Sequence, residues 1–122
     1  MAGDHKNFVR IAQENYDGAT ELIVRGRGNA AANRLYYAVF QLLYMDQLNK
    51  KNLKMSDSGK HDFIRRIAEE EYGREISEVF QDLKRLREDA DYKGIFIGKE
   101  RFDCMKSRVD LRYKEIKKKV SA

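Results

Sequence analysis

The sequence contains no proline and no tryptophan, and it has a single cysteine, Cys104. The absence of proline from 122 residues removes the commonest helix breaker and favours long, uninterrupted helices. One thiol excludes an internal disulfide and a multi-cysteine metal centre, and it fits a reducing compartment. We therefore expect an all-α protein of the cytoplasm, and the sequence indicates neither a metal site nor a cofactor.

Long apolar runs are also missing. The longest stretch, Leu35 to Met45, is interrupted only by Gln41 and is about half of the roughly 20 residues that span a bilayer. The first twenty residues mix charged with apolar residues and lack the apolar core of a signal peptide. We expect no association with a membrane. The length of 122 residues predicts a single domain, 1–122, around one core.

Positive charge is only slightly in excess of negative charge. Twenty-five lysines and arginines against 20 acidic residues give a net charge of +5. This balance permits RNA binding without indicating it, because no polybasic block dominates the chain. The run Lys117 to Lys119 is typical of a solvated helix end, where cations favour the negative pole of the helix dipole.

Apolar residues recur at three- and four-residue spacing along most of the chain, which predicts amphipathic helices. Short connections between such helices favour antiparallel neighbours. The fold class that we predict is an all-α, up-and-down bundle of about five helices. These helices are expected from Asp4 to Arg25, from Asn29 to about Lys51, from Lys60 to Tyr72, from about Glu75 to Asp91, and from about Lys99 onward.

Glycines mark the first connection. Gly26 and Gly28 are expected to stop the first helix by adopting left-handed backbone, and Asn29 is then expected to cap the second helix. The second helix is apolar almost all round from Leu35 to Met45, which predicts burial on more than one side. A subunit interface on this helix is the simplest interpretation.

Two segments carry a family resemblance. The first is Ala30-Ala31-Ala32-Asn33-Arg34-Leu35-Tyr36-Tyr37-Ala38-Val39-Phe40, and the second is Leu86-Arg87-Glu88-Asp89-Ala90-Asp91-Tyr92. Between them, Lys60-His61 stands at the start of the third helix. In this order the motifs resemble the HEPN family (higher eukaryotes and prokaryotes nucleotide-binding), and in particular its branch with a Leu-Arg-x-x-Ala-Asp-Tyr motif.

The resemblance implies an HEPN-like helical bundle and a specific chemistry. HEPN ribonucleases cleave RNA without a metal, using an Arg followed after four to six residues by a His, and both subunits of a homodimer contribute to one cleft. Many are toxins of toxin–antitoxin pairs, whose nucleotidyltransferase partner silences them by modifying a Tyr. In this chain no histidine follows Arg85 or Arg87 at that spacing, and Tyr92 stands in the motif instead.

Carried onto this sequence, the motifs give a set of candidate site residues. The catalytic candidates are Arg87, Tyr92, Arg85 and His61, with His61 as a replacement imidazole. The candidates for binding RNA or a nucleotide are Arg34, Asp91 and Lys60, and Tyr92 is also the candidate for modification.

Other interpretations of the same residues stay open. Arg34 either forms an ion pair with a neighbouring helix or contacts phosphate, because a buried guanidinium needs a partner. Arg85 and Asp89 have the spacing of a weak surface pair, and the ring of His61 is typical of a helix-start residue that bonds nearby backbone. Tyr36 and Tyr37 have the character of packing and hydrogen-bonding residues.

Helical geometry adds a prediction that is independent of the resemblance. At about 100° per residue, Arg85 and Tyr92 fall opposite the apolar stripe that contains Leu83, whereas Arg87 lies near the edge of that stripe.

Three functions are compatible with the sequence. The first is a ribonuclease or RNA-binding component of a toxin–antitoxin pair. The second is a dimeric HEPN module without catalysis that regulates a nucleotidyltransferase. The third is a helical adaptor that binds another protein through its second helix.

Overall fold

Nearly every predicted apolar stripe lies on an α-helix. The structure is a computed structural model that describes residues 2–51 and 60–121, with side chains described for 7–45 and 61–121. These two ranges contain helices and no strand, so the all-α prediction is confirmed. The helices are α1 (Ala2–Val24), α2 (Gly28–Lys51), α3 (Lys60–Tyr72), α4 (Arg74–Asp91), α5 (Lys99–Asp103) and α6 (Lys106–Ser121).

Helix α2 occupies the centre of the bundle, where it packs against α1, α3, α4 and α6. The apolar surface of α2 is therefore covered on several sides by helices of the same chain. The burial that the sequence predicted for α2 is confirmed, but it does not by itself require a second subunit. The buried α2 residues include Ala31, Leu35, Ala38, Val39 and Leu42.

The predicted fifth helix is two helices, which corrects the expected continuous helix from Lys99. A turn at Cys104 and Met105 separates α5 from α6, and the amide of Met105 donates to the carbonyl of Phe102 (3.0 Å) across it. Neither glycine nor proline marks this turn. Phe102 before the turn, Met105 within it and Val109 after it are all buried, so one apolar face continues across the break.

The connection between α1 and α2 differs from the prediction at two residues. Gly26 has a φ of 75°, the left-handed conformation expected of a helix stop. Gly28 has another role, because it is the first residue of α2 and a Cβ atom there would collide with the carbonyl oxygen of Ile97. Asn29 lies inside the first turn of α2 and is not the cap that was predicted.

Asn29 instead fixes the segment that joins α4 to α5. Its Oδ1 accepts a hydrogen bond from the amide of Ile97 (2.9 Å), and its Nδ2 donates to the carbonyl of Ile95 (2.8 Å). Ile97 is buried, whereas Phe96 between these two anchors is 79% exposed. The segment thus holds one side chain in the core and presents the next to solvent.

Helix α4 shows the predicted stripe, with Ile76, Phe80 and Leu83 fully buried. On α1, by contrast, Ile11 is 44% exposed. In residues 2–51 and 60–121 we find no helix that combines the length and apolar character needed to cross a bilayer.

Candidate functional site

The C-terminal half of α4 carries the residue around which a site can be built, Arg87. Its guanidinium carbon lies 4.7 Å from the ring centre of Tyr36, 5.4 Å from that of Tyr37 and 5.8 Å from that of Tyr92. These distances are within the range of cation–π attraction. Nη1 also donates a hydrogen bond of 3.3 Å to the hydroxyl of Tyr37. Three tyrosine rings therefore hold one guanidinium near the surface of the bundle.

Arg87 has no carboxylate partner among the described residues, and its buried Nε has no hydrogen-bond acceptor there. Every other arginine of α4, α5 and α6 forms an ion pair with a carboxylate. An incompletely paired, half-buried guanidinium costs desolvation energy, so its positive charge is available to an anion. The paired arginines are Arg74, Arg85, Arg101, Arg108 and Arg112.

Beneath Arg87, a chain of hydrogen bonds joins α2, α3 and α4. The hydroxyl of Tyr36 lies 2.9 Å from Nδ1 of His61, and Nε2 of His61 lies 2.6 Å from Oε1 of Gln81. With the Gln81 carbonyl oxygen as acceptor, the imidazole carries its proton on Nε2, so the Tyr36 hydroxyl donates to Nδ1. The imidazole also stacks on Phe80 at 4.4 Å between ring centres.

Burial keeps both members of this pair neutral. Desolvation raises the pKa of Tyr36 to about 12, although the charge of Arg87 opposes the shift. Burial lowers the pKa of His61, and the hydrogen bond to Gln81 opposes that change. Tyr36 therefore stays a phenol and His61 an uncharged imidazole at neutral pH.

One interpretation of the sequence was that the ring of His61 bonds nearby backbone. Instead, both of its ring nitrogens contact side chains. Neither nitrogen is free to take a proton from a substrate without breaking one of these bonds. In this geometry His61 positions Tyr36, and Tyr36 in turn supports Arg87 through its ring.

We call the exposed side chains Tyr37, Tyr92, Ile95 and Phe96 the aromatic patch. Of these, Tyr37 and Tyr92 lie against Arg87. Tyr92 is 73% exposed at the end of α4, where its amide donates to the carbonyl of Glu88 (2.9 Å). The exposed face that was predicted for Tyr92 is confirmed. Two of its rings, Tyr37 and Tyr92, therefore lie against the one arginine of α4–α6 that has no carboxylate partner among the described residues.

The other predicted site residues lie outside this cluster. Arg85 points away from Arg87, is exposed and pairs with Asp82 at 3.4 Å. The predicted pair of Arg85 with Asp89 is therefore wrong, since Asp89 pairs with Arg101 at 2.5 Å. The Arg101 hydrogen bond holds the pKa of the Asp89 carboxyl below its usual range.

Two further binding candidates are exposed. Arg34 lies against Gly18 of α1, and no described residue forms an ion pair with it, so the pairing alternative fails within the described part of the chain. Asp91 is exposed at the end of α4. The side chain of Lys60 lies outside the described residues.

Sequence reasoning missed Gln81 and Phe96 as parts of this region. Gln81 is 20 residues from His61 in sequence, and no motif couples the two. Phe96 belongs to neither of the two motifs, and its exposed position depends on the bonds that Asn29 makes to the residues on both sides of it. Within the described ranges, no group of three or more histidine, cysteine or acidic side chains is arranged to hold a metal ion.

Comparison of the chain with protein-family models, with curated proteins and with solved structures found no match in any of the three.

Proposed function

We propose that this chain is an HEPN-like component of a prokaryotic toxin–antitoxin type pair that binds RNA or a nucleotide through Arg87. The observation that carries the proposal is the absence of a carboxylate partner for Arg87 among the described residues, while the other arginines of α4, α5 and α6 are paired. A phosphate supplies the missing negative charge and accepts hydrogen bonds from a guanidinium in a favourable geometry.

The geometry favours binding over cleavage. General acid–base catalysis needs a group with a pKa near the working pH and within reach of the proton that moves. Tyr36 is buried with a pKa of about 12, and the nitrogens of His61 are bonded to Tyr36 and Gln81. We therefore favour the form of the proposal in which the chain is a module without catalysis that binds RNA or a nucleotide and regulates a nucleotidyltransferase. Metal-independent ribonuclease activity is the alternative.

We further propose that the active form is a homodimer joined across the aromatic patch. Tyr92 and Phe96 are 73% and 79% exposed, which is unusual for large aromatic side chains and is typical of interface residues. A twofold axis near this patch brings the two Arg87 side chains to one cleft, as the family resemblance implies.

Tyr92 gives a second candidate function, as the target of a nucleotidyltransferase partner. Its side chain is accessible, and the guanidinium of Arg87 lies 5.8 Å from its ring, close enough to attract the phosphates of an incoming nucleotide. Incubation with an active partner and ATP should then raise the mass of the protein by whole nucleotide units. Tyr92→Phe should abolish the gain, and an unchanged gain in that variant would remove the assignment.

RNA incubation in the presence of a chelator separates the binding module from the ribonuclease. We expect the purified wild-type protein to bind single-stranded RNA and leave it intact. Products with cyclic-phosphate or 3′-phosphate ends that disappear in Arg87→Ala would establish the ribonuclease instead. Absence of both binding and cleavage, in a protein that is folded by circular dichroism, would contradict both forms of the proposal.

Light scattering tests the dimer independently. The wild-type protein should have the mass of two chains at micromolar concentration, and Phe96→Asp should shift it towards one chain. Leu111→Asp, at a 58% exposed position on α6, is the matched control and should leave the mass unchanged. A wild-type monomer would refute the interface.

A further inference from the structure

A cleft in the described part of the chain lies between α3, α4 and α6, on a different face of α4 from Arg87. Its volume is about 410 Å³. We call it the arginine cleft, because its charged lining consists of four arginines and three acids and contains no lysine. These residues are Arg65, Arg74, Arg85, Arg108, Glu69, Glu78 and Asp82.

The arginine cleft is separate from the Arg87 site. Arg85 and Arg87 are two positions apart on α4, so their side chains leave the helix about 160° apart. Arg85 lines the cleft and is 69% exposed, whereas Arg87 lies over the tyrosine rings. One helix therefore presents positive charge on two different faces.

Most of the cleft guanidiniums are loosely held. Arg65, Arg74 and Arg85 lie 3.8, 3.3 and 3.4 Å from carboxylates one turn away on their own helices. Only Arg108 makes a short contact, 2.5 Å to Asp82, and it shares that carboxylate with Arg85. Exposed pairs of this kind contribute little to stability, so the guanidiniums can exchange a carboxylate for a ligand oxygen at little cost.

Uncharged donors complete the lining. Gln81 accepts from His61 through Oε1, and its amide nitrogen has no acceptor among the described residues, so it can donate into the cleft. Ser77, which is buried, also lines the cleft. Converging donors from three helices match a ligand that is rich in acceptor oxygens and carries several negative charges.

We propose that the arginine cleft binds an oligophosphate, meaning two or three linked phosphates that are either free or part of a nucleotide. The Asp82 carboxylate already bridges Arg85 of α4 and Arg108 of α6, and Arg65 of α3 lines the same cleft, so two or three linked phosphates offer more oxygens to these arginines than one. The three carboxylates repel any phosphate, and a continuous nucleic-acid backbone would have to pass all three of them. A compact oligophosphate can instead lie between them and meet the arginines from several sides.

Calorimetric titration with inorganic triphosphate, at low salt and without added metal, tests the proposal. We expect saturable binding by the wild-type protein. Arg85→Gln should weaken binding severalfold, and the double variant Arg85→Gln/Arg108→Gln should weaken it at least tenfold. Arg85 is exposed, so the single variant gives a readout even if the double variant fails to fold.

One control removes the same charge elsewhere. Arg25→Gln, on an exposed pair with Glu21 of α1, should leave triphosphate affinity within twofold of wild type. The comparison of Arg85→Gln with Arg87→Gln then locates the bound triphosphate. Absence of saturable binding, or an equal loss in Arg25→Gln, would overturn the proposal. Loss in Arg87→Gln alone would move the triphosphate to the Arg87 site.

ATP distinguishes the two sources of the ligand. Equal affinity for ATP and triphosphate means that the cleft recognises phosphates alone, and tighter binding of ATP means that it also recognises the nucleoside. Displacement of bound triphosphate by RNA without terminal phosphates, with a loss in Arg85→Gln, would show a backbone-binding groove and contradict the proposal. Neither result bears on the separate proposal that RNA binds through Arg87.

Discussion

Tyr36 illustrates how a single buried side chain supports the candidate site. Its ring stacks on Phe80 at 5.4 Å and lies under Arg87, while its hydroxyl bonds His61. The ring packs as a core residue, and the hydroxyl satisfies a polar neighbour that would otherwise be unpaired. Tyr36 therefore links the stability of the bundle to the position of Arg87.

Tyr36→Phe should separate these two contributions. The variant keeps the ring and leaves Nδ1 of His61 without its donor, so we expect a loss of about 1–2 kcal/mol in the free energy of unfolding. Tyr37→Phe, at a 40% exposed position, is the control and should change it by less than about 0.5 kcal/mol. Urea denaturation measures both, and equal effects would show that the buried bond contributes nothing particular.

His61 predicts how stability depends on pH. Its pKa is lowered in the folded protein, chiefly by burial and also by the charges of Lys84 and Arg65, whereas Asp62 opposes the shift. Between the folded and unfolded pKa values, the unfolded chain binds more protons. Stability is therefore complete above the unfolded value of about 6.5 and is lost as the pH falls below it.

The melting temperature between about pH 8 and pH 5 tests this sign, because carboxylates titrate mainly below that range. The wild-type protein should melt at lower temperature as the pH falls through 6.5, and His61→Gln should flatten the dependence. His5→Gln removes the other histidine and should keep the wild-type slope. A slope that persists in His61→Gln would assign it to another group.

At the scale of elements, the start of α2 and the segment before α5 form one unit. Gly28 allows the Ile97 carbonyl to approach the helix, and Asn29 bonds the residues on both sides of Phe96. This arrangement presents Phe96 beside the end of α4. The exposed position of Phe96 thus depends on two residues that lie more than 60 positions earlier in the sequence.

Two alanine substitutions distinguish the roles of the glycines. Gly26→Ala forces a residue with a Cβ into a φ of 75° and should cost about 1–2 kcal/mol. Gly28→Ala should cost more, about 3 kcal/mol, because its Cβ meets backbone that cannot move independently. Hydrogen exchange should also increase at the Ile97 amide in Gly28→Ala only, and equal exchange in both variants would contradict this role.

The position of a helix was predictable from the sequence where an apolar stripe on one face ended at a residue that stops helices. The stripe of α4 and the stop at Gly26 are of this kind, since Gly26 has positive φ. The turn between α5 and α6 was not predictable, because Phe102 before it and Val109 after it keep the same buried face. Asn29 was misinterpreted as a cap because its real partners lie more than 60 residues away.

The candidate site was only partly predictable, because part of it depends on contacts between residues that are far apart in the sequence. Helical geometry placed Arg87 at the edge of the core and Tyr92 on the outside, as found. The sequence did not reveal that Arg87 lacks a carboxylate partner among the described residues, since pairing depends on contacts between helices. Nor did it reveal that Arg85 belongs to a separate cleft.

At the scale of the whole molecule, the net charge is a modest +5, and the positive side chains differ in how far carboxylates neutralise them. Most arginines of α4–α6 have carboxylate neighbours, and the four around the arginine cleft face three acids. Arg87 differs because aromatic rings surround it and no carboxylate among the described residues neutralises it. Its charge should therefore contribute to RNA binding out of proportion to its share of the total.

The salt dependence of RNA affinity tests that central claim most directly. Fluorescence anisotropy with a single-stranded oligonucleotide, repeated over a range of salt concentrations, gives the slope of log affinity against log salt. Each lost phosphate contact should reduce the magnitude of this slope by about 0.7. We predict that Arg87→Gln lowers both the affinity and the slope, whereas Arg85→Gln leaves both near wild type; an unchanged slope and affinity in Arg87→Gln would contradict the account.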